Sequence, residues 1–299
     1  MTGTAAQQAF EDHRGLLFTV AYEMLGSAAD AEDVVQETWL RWADVDHAEV
    51  RDGRAFLVRI ATRLALNRLR TIARRREAYV GPWLPEPLLT TPDVADDVAL
   101  ADSVSTAMLL VLETLAPVER AVFVLREVFD LPYEEIAEAV GKSADATRQT
   151  ALRARRHVAA RRPRRSVDRS ESAHAVECFL AAARTGDLQP LLEVLAPDVV
   201  LLSDGGGLVS AARRPVVGRD NVARFLAGVA SKGAAEPHLV WVNGTPALQA
   251  TRDDRPVTLI TLRVEDGLVA AIYVVVNPDK LDRLDRPADL SRGGAGAAT

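Results

Sequence analysis

The stretch LPYEEIAEAVGKSADATRQTALRARR, residues 131–156, decides the fold of the middle of the chain. We expect a first helix over residues 133–139, a turn at Gly141, and a second helix that starts after Ser143 and reaches about Ala159. Two helices joined by such a turn predict a helix-turn-helix, which is a common DNA-binding unit. A helix-turn-helix alone leaves a repressor, an activator and a recombinase equally open.

The second helix is expected to have one small, apolar face and one basic face. The inward residues by spacing are Thr147, Ala151, Ala154 and Val158. The outward residues, flanked by Arg155, are expected to reach base edges or phosphates in a major groove: Asp145, Arg148, Gln149, Arg153 and Arg156. The competing interpretation is a packed helix with a solvated basic exterior, and the turn and the spacing favour DNA over it.

Composition places the chain among globular proteins. It has 299 residues, of which 48% are apolar and 26% charged, so we expect two or three packed units. The single Cys178 excludes an internal disulfide and is expected to be a small buried hydrophobe. No apolar run approaches the ~18 residues of a membrane helix, and residues 1–10 do not resemble a signal peptide. We therefore expect a cytoplasmic protein without membrane contact.

Charge is strongly segregated along the sequence. The net charge is -6, yet residues 51–76 and 142–165 each carry about +8, which predicts two cationic surfaces. Residues 23–49 carry about -7 and residues 81–103 about -5.

Turn-forming residues and changes of composition divide the chain into five parts. We expect a helical bundle over 1–80, a proline-rich acidic linker over 81–98, the helix-turn-helix domain over 99–165, a third domain over 171–286 and a disordered tail over 287–299. Residues 163–169 are expected to be basic and not compact. In the third domain, helices are expected over 171–185, 188–195 and 220–230, and an apolar run at 199–202 precedes strands at 238–242, 257–264 and 269–276. This pattern predicts an α+β fold with a mostly antiparallel sheet.

A polar stripe runs along the helix expected over residues 54–76. Its members recur at helical spacing and should face outward together: Arg59, Arg63, Asn67, Arg70 and Arg74. A solvated face usually mixes charges of both signs, and this one contains no acid. We therefore favour contact with phosphates over a merely solvated surface.

An acidic helix is expected over residues 29–42. Val35, Trp39 and Trp42 share one face. Polar residues lie largely on the other faces and would be exposed: Asp33, Gln36, Glu37 and Arg41. A solubilising surface is the simplest explanation, and a protein contact is the alternative.

These segments resemble the extracytoplasmic-function (ECF) sigma factors of bacterial RNA polymerase. Residues 30–40 (DAEDVVQETWL) are similar to the segment that docks onto the clamp helices of the polymerase largest subunit. Residues 56–67 (FLVRIATRLALN) are similar to the helix that melts and recognises the minus-ten promoter element. Residues 115–127, together with the helix-turn-helix, are similar to the minus-thirty-five-binding domain.

The resemblance covers about residues 10–162. It implies polymerase binding through the four acidic-helix residues, single-stranded minus-ten contact through the polar stripe, and minus-thirty-five contact through the outward face of the second helix. Many members have Asn where this chain has Arg63, so no base preference is carried over.

Three further motifs resemble a SigJ-like subgroup that bears a SnoaL-like extension. They are, in order, Trp83-Leu84-Pro85-Glu86-Pro87, Asp204-Gly205-Gly206-Gly207 and Asn277-Pro278-Asp279-Lys280. Such extensions have the cone-shaped fold of nuclear transport factor two, which encloses a cavity. The resemblance implies that the third domain regulates the sigma domains of the same chain through these motifs.

Two other classes of function stay open at this point. One is a DNA-binding part fused to a polyketide-cyclase-like enzyme, with Asp204 and His238 as conceivable acid and base. The other is a ligand-responsive repressor. We expect a sigma factor with no catalytic residue, cofactor or metal, whose partners are core RNA polymerase and promoter DNA. A small ligand in the cavity of the third domain is left open.

Overall fold

The computed structural model describes residues 3–161, 169–185, 188–231, 235–284 and 286–292. Its helices, in chain order, are α1 (Gly3–Glu11), α2 (Arg14–Leu25), α3 (Ala28–Ala43), α4 (Gly53–Glu77), α5 (Val98–Val104), α6 (Thr106–Glu113), α7 (Pro117–Phe123), α8 (Tyr133–Val140), α9 (Ala144–Ala159), α10 (Arg169–Thr185), α11 (Leu188–Val194), α12 (Arg219–Ala230) and α13 (Pro278–Leu281). Its strands are β1 (Leu195–Asp204), β2 (Val216–Val217), β3 (Pro237–Val242), β4 (Thr245–Arg252), β5 (Arg255–Glu265) and β6 (Leu268–Val275).

The first helices form a bundle around α2. This helix is apolar on almost every side, and residues 16–17 and 19–25 are all buried because α3 and α4 pack against it. Ser27 begins α3 by accepting a hydrogen bond from the Asp30 amide at 3.2 Å. Trp42, at the other end of α3, is buried and donates its indole N–H to the Ala6 carbonyl at 2.8 Å.

Helices α8 and α9 form the predicted helix-turn-helix. Gly141 has φ +69° and ends α8 in the left-handed conformation that favours glycine. Ser143 Oγ accepts a hydrogen bond from the Ala146 amide at 3.2 Å and begins α9. The four residues expected to face inward are all buried, namely Thr147, Ala151, Ala154 and Val158. The prediction from residues 131–156 is therefore confirmed in its helices, its turn and its buried face.

The third domain is built on one six-stranded sheet in the order β2-β1-β6-β5-β4-β3. Only β1 and β6 pair in parallel, and the other neighbours are antiparallel. Alternate side chains point to opposite faces, so Leu248 and Ile272 pack with α10, α11 and α12, whereas Val242 and Tyr273 face the linker. The predicted α+β class is confirmed, and a cavity lies between the helices and the sheet, as the SnoaL resemblance implied.

Strand β4 is absent from the sequence-based prediction. It follows the turn at Asn243 and Gly244, whose φ values of +53° and +68° are those of a tight hairpin turn. Pro246 lies near the start of β4, where a missing N–H is tolerated in a strand. The Asn243-Gly244 dipeptide is a local signal for this hairpin, but the weak strand propensity of the residues that follow it kept β4 out of the prediction.

The linker is part of a hydrophobic core. Leu84 is fully buried and packs with Val242, Leu259 and Leu281 of the third domain. Leu89 forms an isolated bridge with Val242, and the Thr90 amide donates to the Trp241 carbonyl at 2.9 Å. Between Leu84 and Thr90 the linker is therefore packed against the third domain and is not a plain spacer.

Two expectations about local order are wrong. The Ala288 amide donates to the Leu89 carbonyl at 2.8 Å, and Leu290 is 9% exposed in the helical core, so the beginning of the expected disordered tail is packed. The prediction of disorder followed the Gly-Ala composition of the last residues and therefore overlooked the apolar Leu290. Cys178 is half-buried and not fully buried, because it lies on α10 beside His174. Residues 163–168 and 293–299, for which loose structure was expected, lie outside the described residues, whereas Arg169, the last residue of the first segment, begins α10.

Candidate polymerase, DNA and interdomain sites

The acidic helix α3 exposes the four residues expected to bind polymerase. Asp33, Gln36 and Arg41 are exposed and Glu37 is half-exposed. Glu37 pairs with Arg41 at 2.7 Å, and Asp33 pairs with Arg68 of α4.

An apolar side chain lies among these charges. Leu40 is 60% exposed and follows Gln36 and Glu37 by one helical turn, so it shares their side of α3. The surface thus combines acidic groups with an exposed apolar residue, which is the composition of a protein-binding patch.

The basic stripe on α4 is divided between solvent and a neighbouring helix. Asn67, Arg70 and Arg74 are exposed. In contrast, Arg59 pairs with Glu138 of α8 at 3.0 Å, and Arg63 donates from Nη2 to the Glu138 carbonyl at 2.8 Å. Arg63 nevertheless stays exposed, so the expectation that all five residues face outward is wrong only for Arg59, which is half-buried.

The last turn of α8 explains why the two arginines bind there. Carbonyl groups in the last turn of a helix have no partner within the helix and carry partial negative charge, which attracts a guanidinium group. Arg63 Nε also approaches the Ala139 carbonyl at 3.4 Å. The contact joins the bundle to the first helix of the helix-turn-helix.

The outward face of α9 is exposed, with some of its charge neutralised. Asp145, Arg148, Gln149, Arg153 and Arg156 are all exposed. Arg148 pairs with Asp145 at 2.8 Å and with Glu134 at 2.7 Å, and the neighbouring Arg155 pairs with Glu127 at 2.6 Å. Exposed pairs of this kind are weak, so a phosphate can replace the acid at small cost.

Asp204 brings the three subgroup motifs into contact. Its side chain is completely buried, and Oδ2 accepts from the Leu84 amide and from Lys280 Nζ, both at 2.8 Å. Oδ1 accepts from Tyr79 Oη at 2.6 Å and from the Gly206 amide at 3.1 Å. A buried carboxylate with four donors is well compensated for its loss of hydration, so Asp204 is the centre of the contact between linker and third domain.

The glycines after Asp204 permit this contact. Gly206 has φ +60°, and a Cβ atom there would lie 2.4 Å from Asn277 Nδ2. Gly207 has φ +77°, and its Cβ would lie 3.0 Å from the Val80 Cβ. Side chains at either position would separate the third domain from Asn277 or from the linker.

Trp83 lies between two cations from different domains. Arg76 Cζ of α4 is 3.6 Å from the ring centroid, and Lys280 Nζ of α13 is 4.1 Å from it. Arg76 also pairs at 2.9 Å with Glu113, at the end of α6. The tryptophan therefore connects the bundle, the second helical domain and the third domain.

Burial dominates the protonation equilibria of this cluster. Burial lowers the pKa of Lys280, and the charge of Asp204 and its hydrogen bond oppose that change. Burial raises the pKa of Glu113 to about 7, against the attraction of Arg76 and Arg120. Burial, followed by the hydrogen bond to Asp204, raises the pKa of Tyr79, which keeps this hydroxyl protonated as a donor.

Glu86 connects the linker to the start of the acidic helix α3. Its Oε2 accepts from Ser27 Oγ at 3.1 Å and from the Ala29 amide at 3.3 Å, and Oε1 lies 3.5 Å from Arg283 Nε. Burial raises the pKa of Glu86, whereas the Ala29 amide lowers it. The prolines on either side, Pro85 and Pro87, are buried.

Asn243 is an interdomain residue that the sequence did not indicate. Its Oδ1 accepts from the Leu88 amide at 3.0 Å, and its Nδ2 donates to Tyr22 Oη at 2.7 Å and to the Val104 carbonyl at 2.8 Å. The side chain thus joins the third domain to the linker, to α2 and to α5. The Asn-Gly dipeptide was a detectable signal for the turn, but nothing in it indicated the partners.

The cavity of the third domain does not contain the conceivable acid and base. It has a volume of about 1170 Å³, and neither Asp204 nor His238 lines it. Asp204 is directed toward the linker, and His238 is exposed on β3. The assignment of Asp204 as a cavity acid is therefore wrong.

Two general properties concern the described residues alone. Within them, no helix is both long enough and apolar enough to cross a membrane. Across the same residues, no group of three or more His, Cys, Asp and Glu side chains is placed to hold a metal ion.

Known proteins match the chain both in parts and along its length. The family "Sigma-70 region 2" matches residues 9–76 and the family "Sigma-70, region 4" matches residues 105–158. The chain is 40% identical over 289 residues to the ECF RNA polymerase sigma factor SigJ of Mycobacterium tuberculosis, with 91% of each chain covered. It is 35% identical to a probable ECF RNA polymerase sigma factor SigI of the same species, over 92% of this chain and 94% of the relative.

A solved structure agrees with these relatives. The crystal structure of the Mycobacterium tuberculosis extracytoplasmic-function sigma factor SigJ superimposes with a TM-score of 0.75 at 35% identity, covering 94% of this chain and 99% of that one. That alignment includes the helix-turn-helix, the linker and the third domain. The chain therefore belongs to the ECF RNA polymerase sigma factors, the subunits that direct promoter-specific initiation of transcription.

Proposed function

We propose that this sigma factor binds core RNA polymerase through the exposed face of α3, with Asp33, Gln36, Glu37 and Arg41 as contacts on the clamp helices of the largest subunit. Leu40 supplies apolar area on the same face, where it is 60% exposed. Apolar contacts supply most affinity in such interfaces, whereas the charges steer association and fix register.

Promoter DNA is contacted by two surfaces, one on α9 and one on α4, which differ in how far other helices contact them. The outward face of α9 is exposed and is available to minus-thirty-five duplex. On α4, Asn67, Arg70 and Arg74 are available to melted minus-ten strand, while Arg59 and Arg63 must first leave α8. Phosphate contacts by both surfaces make the affinity dependent on salt.

The third domain regulates the spacing of these surfaces in cis. The observation that carries this proposal is the bonding of Asp204 to Leu84, Tyr79 and Lys280, because it fixes the linker between the two sigma domains against the third domain. The additional bond from Asn243 to Leu88 holds the linker at a second point. Regulation acts through the population of this closed arrangement.

In vitro transcription with purified core polymerase tests the proposal. The full-length chain should initiate at specific promoters, and Asp204→Asn and Trp83→Ala should change the amount of transcript while the protein stays folded. Arg224→Met, an exposed position on α12 that hydrogen-bonds Asp220 and Asn221 of the same helix, serves as the matched control and should leave the transcript unchanged. Absence of specific initiation by every variant contradicts polymerase direction, and equal transcript from Asp204→Asn and the wild type contradicts regulation in cis.

A further inference from the structure

The cavity of the third domain has no part in the proposed contacts with polymerase and DNA. It lies between α10, α11, α12 and the strands β4 and β5, and its volume is about 1170 Å³. Its apolar wall includes Phe179, Leu191, Phe225, Leu226, Ile260 and Val276. Protein interiors pack closely and leave few voids larger than a water molecule, so a space of this size has the dimensions of a binding site.

The lining indicates the chemistry of an occupant. Among the described residues of the lining, four are charged, namely Arg252, Arg255, Glu236 and Asp282, and their formal charges cancel. An ion placed against the apolar wall would lose its hydration without a net opposite charge to compensate it. The lining therefore favours an uncharged, mostly apolar small molecule over an anion or a cation.

The wall of the cavity is continuous with the contact that holds the linker. The loop that starts at Asp204 continues into Val209 and Ala212, which line the cavity. On the other side, α13 contributes Pro278 and Leu281 to the wall and Lys280 to the contact with Asp204. The same two segments thus have one surface toward the cavity and another toward the linker.

The loop after Asp204 folds back closely on its own first residues. The Val209 amide donates to the Gly205 carbonyl at 3.3 Å, and a Cβ atom on Gly205 would lie 2.7 Å from the Val209 carbonyl oxygen. Leu281 packs in the same hydrophobic core as Leu84. An occupant that displaces Val209 or Leu281 therefore also changes the surroundings of the linker.

We propose that this cavity binds an uncharged, largely apolar small molecule, and that occupancy changes the hold of Asp204 and Lys280 on the linker. Binding follows from the cavity alone, whereas the effect on transcription rests on the proposed function. A molecule that fits one arrangement of the wall better than another shifts the population toward it, and the shift is reciprocal.

The first experiment measures binding by the full-length chain with N-phenyl-1-naphthylamine, a neutral apolar fluorophore. The wild type should give saturable binding with one site. Ala227→Phe places a ring in the cavity wall and should weaken binding about tenfold or more, which is the scale of one lost apolar contact surface.

The matched control is Gly228→Phe, the next residue of α12. A Cβ atom at Gly228 meets nothing within 4 Å, and Gly228 does not line the cavity, so this variant should bind the fluorophore as the wild type does. If Ala227→Phe fails to fold, Ala212→Phe fills the opposite wall. No saturable binding by the wild type, or equal binding by the filled variants, overturns the proposed site.

The second experiment measures hydrogen exchange of residues 79–84 with and without the fluorophore. Exchange should change severalfold in the wild type and stay constant in Ala227→Phe. Saturable binding with unchanged exchange overturns the coupling to the linker. Neither result depends on polymerase, so a failure of specific transcription would contradict the proposed function and leave both measurements interpretable.

Discussion

Replacing Asp204 with asparagine is expected to open the contact between the linker and the third domain. The change removes the negative charge beside Lys280, whose side chain is only 11% exposed. Removing one partner of a buried ion pair costs ~3–5 kcal/mol, because the other charge remains buried. Lys280 retains the Leu84 carbonyl and the face of Trp83 as partners, so we expect a cost near ~3 kcal/mol.

The Leu84 amide reports this cost directly, since its acceptor is Asp204 Oδ2 at 2.8 Å. A local loss of ~3 kcal/mol corresponds to roughly a hundredfold faster hydrogen exchange if this amide exchanges through local opening. The double variant Asp204→Asn with Lys280→Met should recover much of the protection, because no unpaired charge remains buried. The single changes should therefore be non-additive by ~2 kcal/mol or more.

The control for this cycle is Arg41 with Glu37, a pair at 2.7 Å on α3 whose side chains are 51% and 44% exposed. Its coupling should stay below about 1 kcal/mol, as expected for an accessible pair. Additive effects of Asp204→Asn and Lys280→Met, or unchanged exchange at Leu84, would refute the reasoning that charge burial holds the linker.

Three further predictions concern other contacts. Glu138→Lys should release Arg59 and strengthen binding of single-stranded minus-ten DNA about twofold to fivefold in fluorescence anisotropy, beyond the effect of the control Glu134→Lys, which changes the charge equally. Equal effects of the two variants would contradict the idea that Glu138 restrains Arg59. Burial raises the pKa of Glu23 to about 8 from 4.5, so native stability should fall with rising pH between these values by up to ~1.4 kcal/mol per unit for this group. Glu113, with a pKa of about 7, adds to this slope at lower pH, so Glu23→Gln should flatten the slope in urea unfolding chiefly between about pH 7 and 8; an unchanged slope there would exclude Glu23 as its source. Gly206→Ala should destabilise the protein by more than about 1 kcal/mol and lower the unfolding midpoint, because Gly206 has a positive φ, whereas Gly228→Ala should stabilise it by about 1 kcal/mol and raise the midpoint. A shift of the same sign in both variants would contradict the role assigned to the positive φ of Gly206.

The sequence predicted the elements whose determinants are local. Gly141 and Ser143 specify the turn and the start of α9 within a few residues, and the structure confirms both. Strands β3, β5 and β6 follow from alternating or continuous apolar runs. Strand β4 escaped because Pro246 and the small residues after it have weak strand propensity, and pairing with β3 and β5 provides the missing stability.

The candidate site residues also divide into those that local sequence spacing predicts and those that depend on distant segments. Helical spacing correctly grouped Asn67, Arg70 and Arg74 on one exposed side of α4. It could not predict that α8, more than seventy residues away in sequence, contacts Arg63 on that side. The same limit explains why Asn243 was missed, since its three partners come from three different segments. Which of the exposed residues contact polymerase or DNA stays a prediction.

The magnitudes of the contacts indicate what keeps the sigma domains together. The pair between Arg59 and Glu138 is accessible, with side chains 32% and 68% exposed, and contributes at most about 1 kcal/mol. DNA phosphates can compete for Arg59 at that cost, so this contact alone would not keep the stripe covered. Asp204 and Lys280 are buried and cannot exchange their partners for solvent without a much larger cost. We therefore propose that release of the linker by the third domain, and not loss of the pair between Arg59 and Glu138, limits access to promoter DNA.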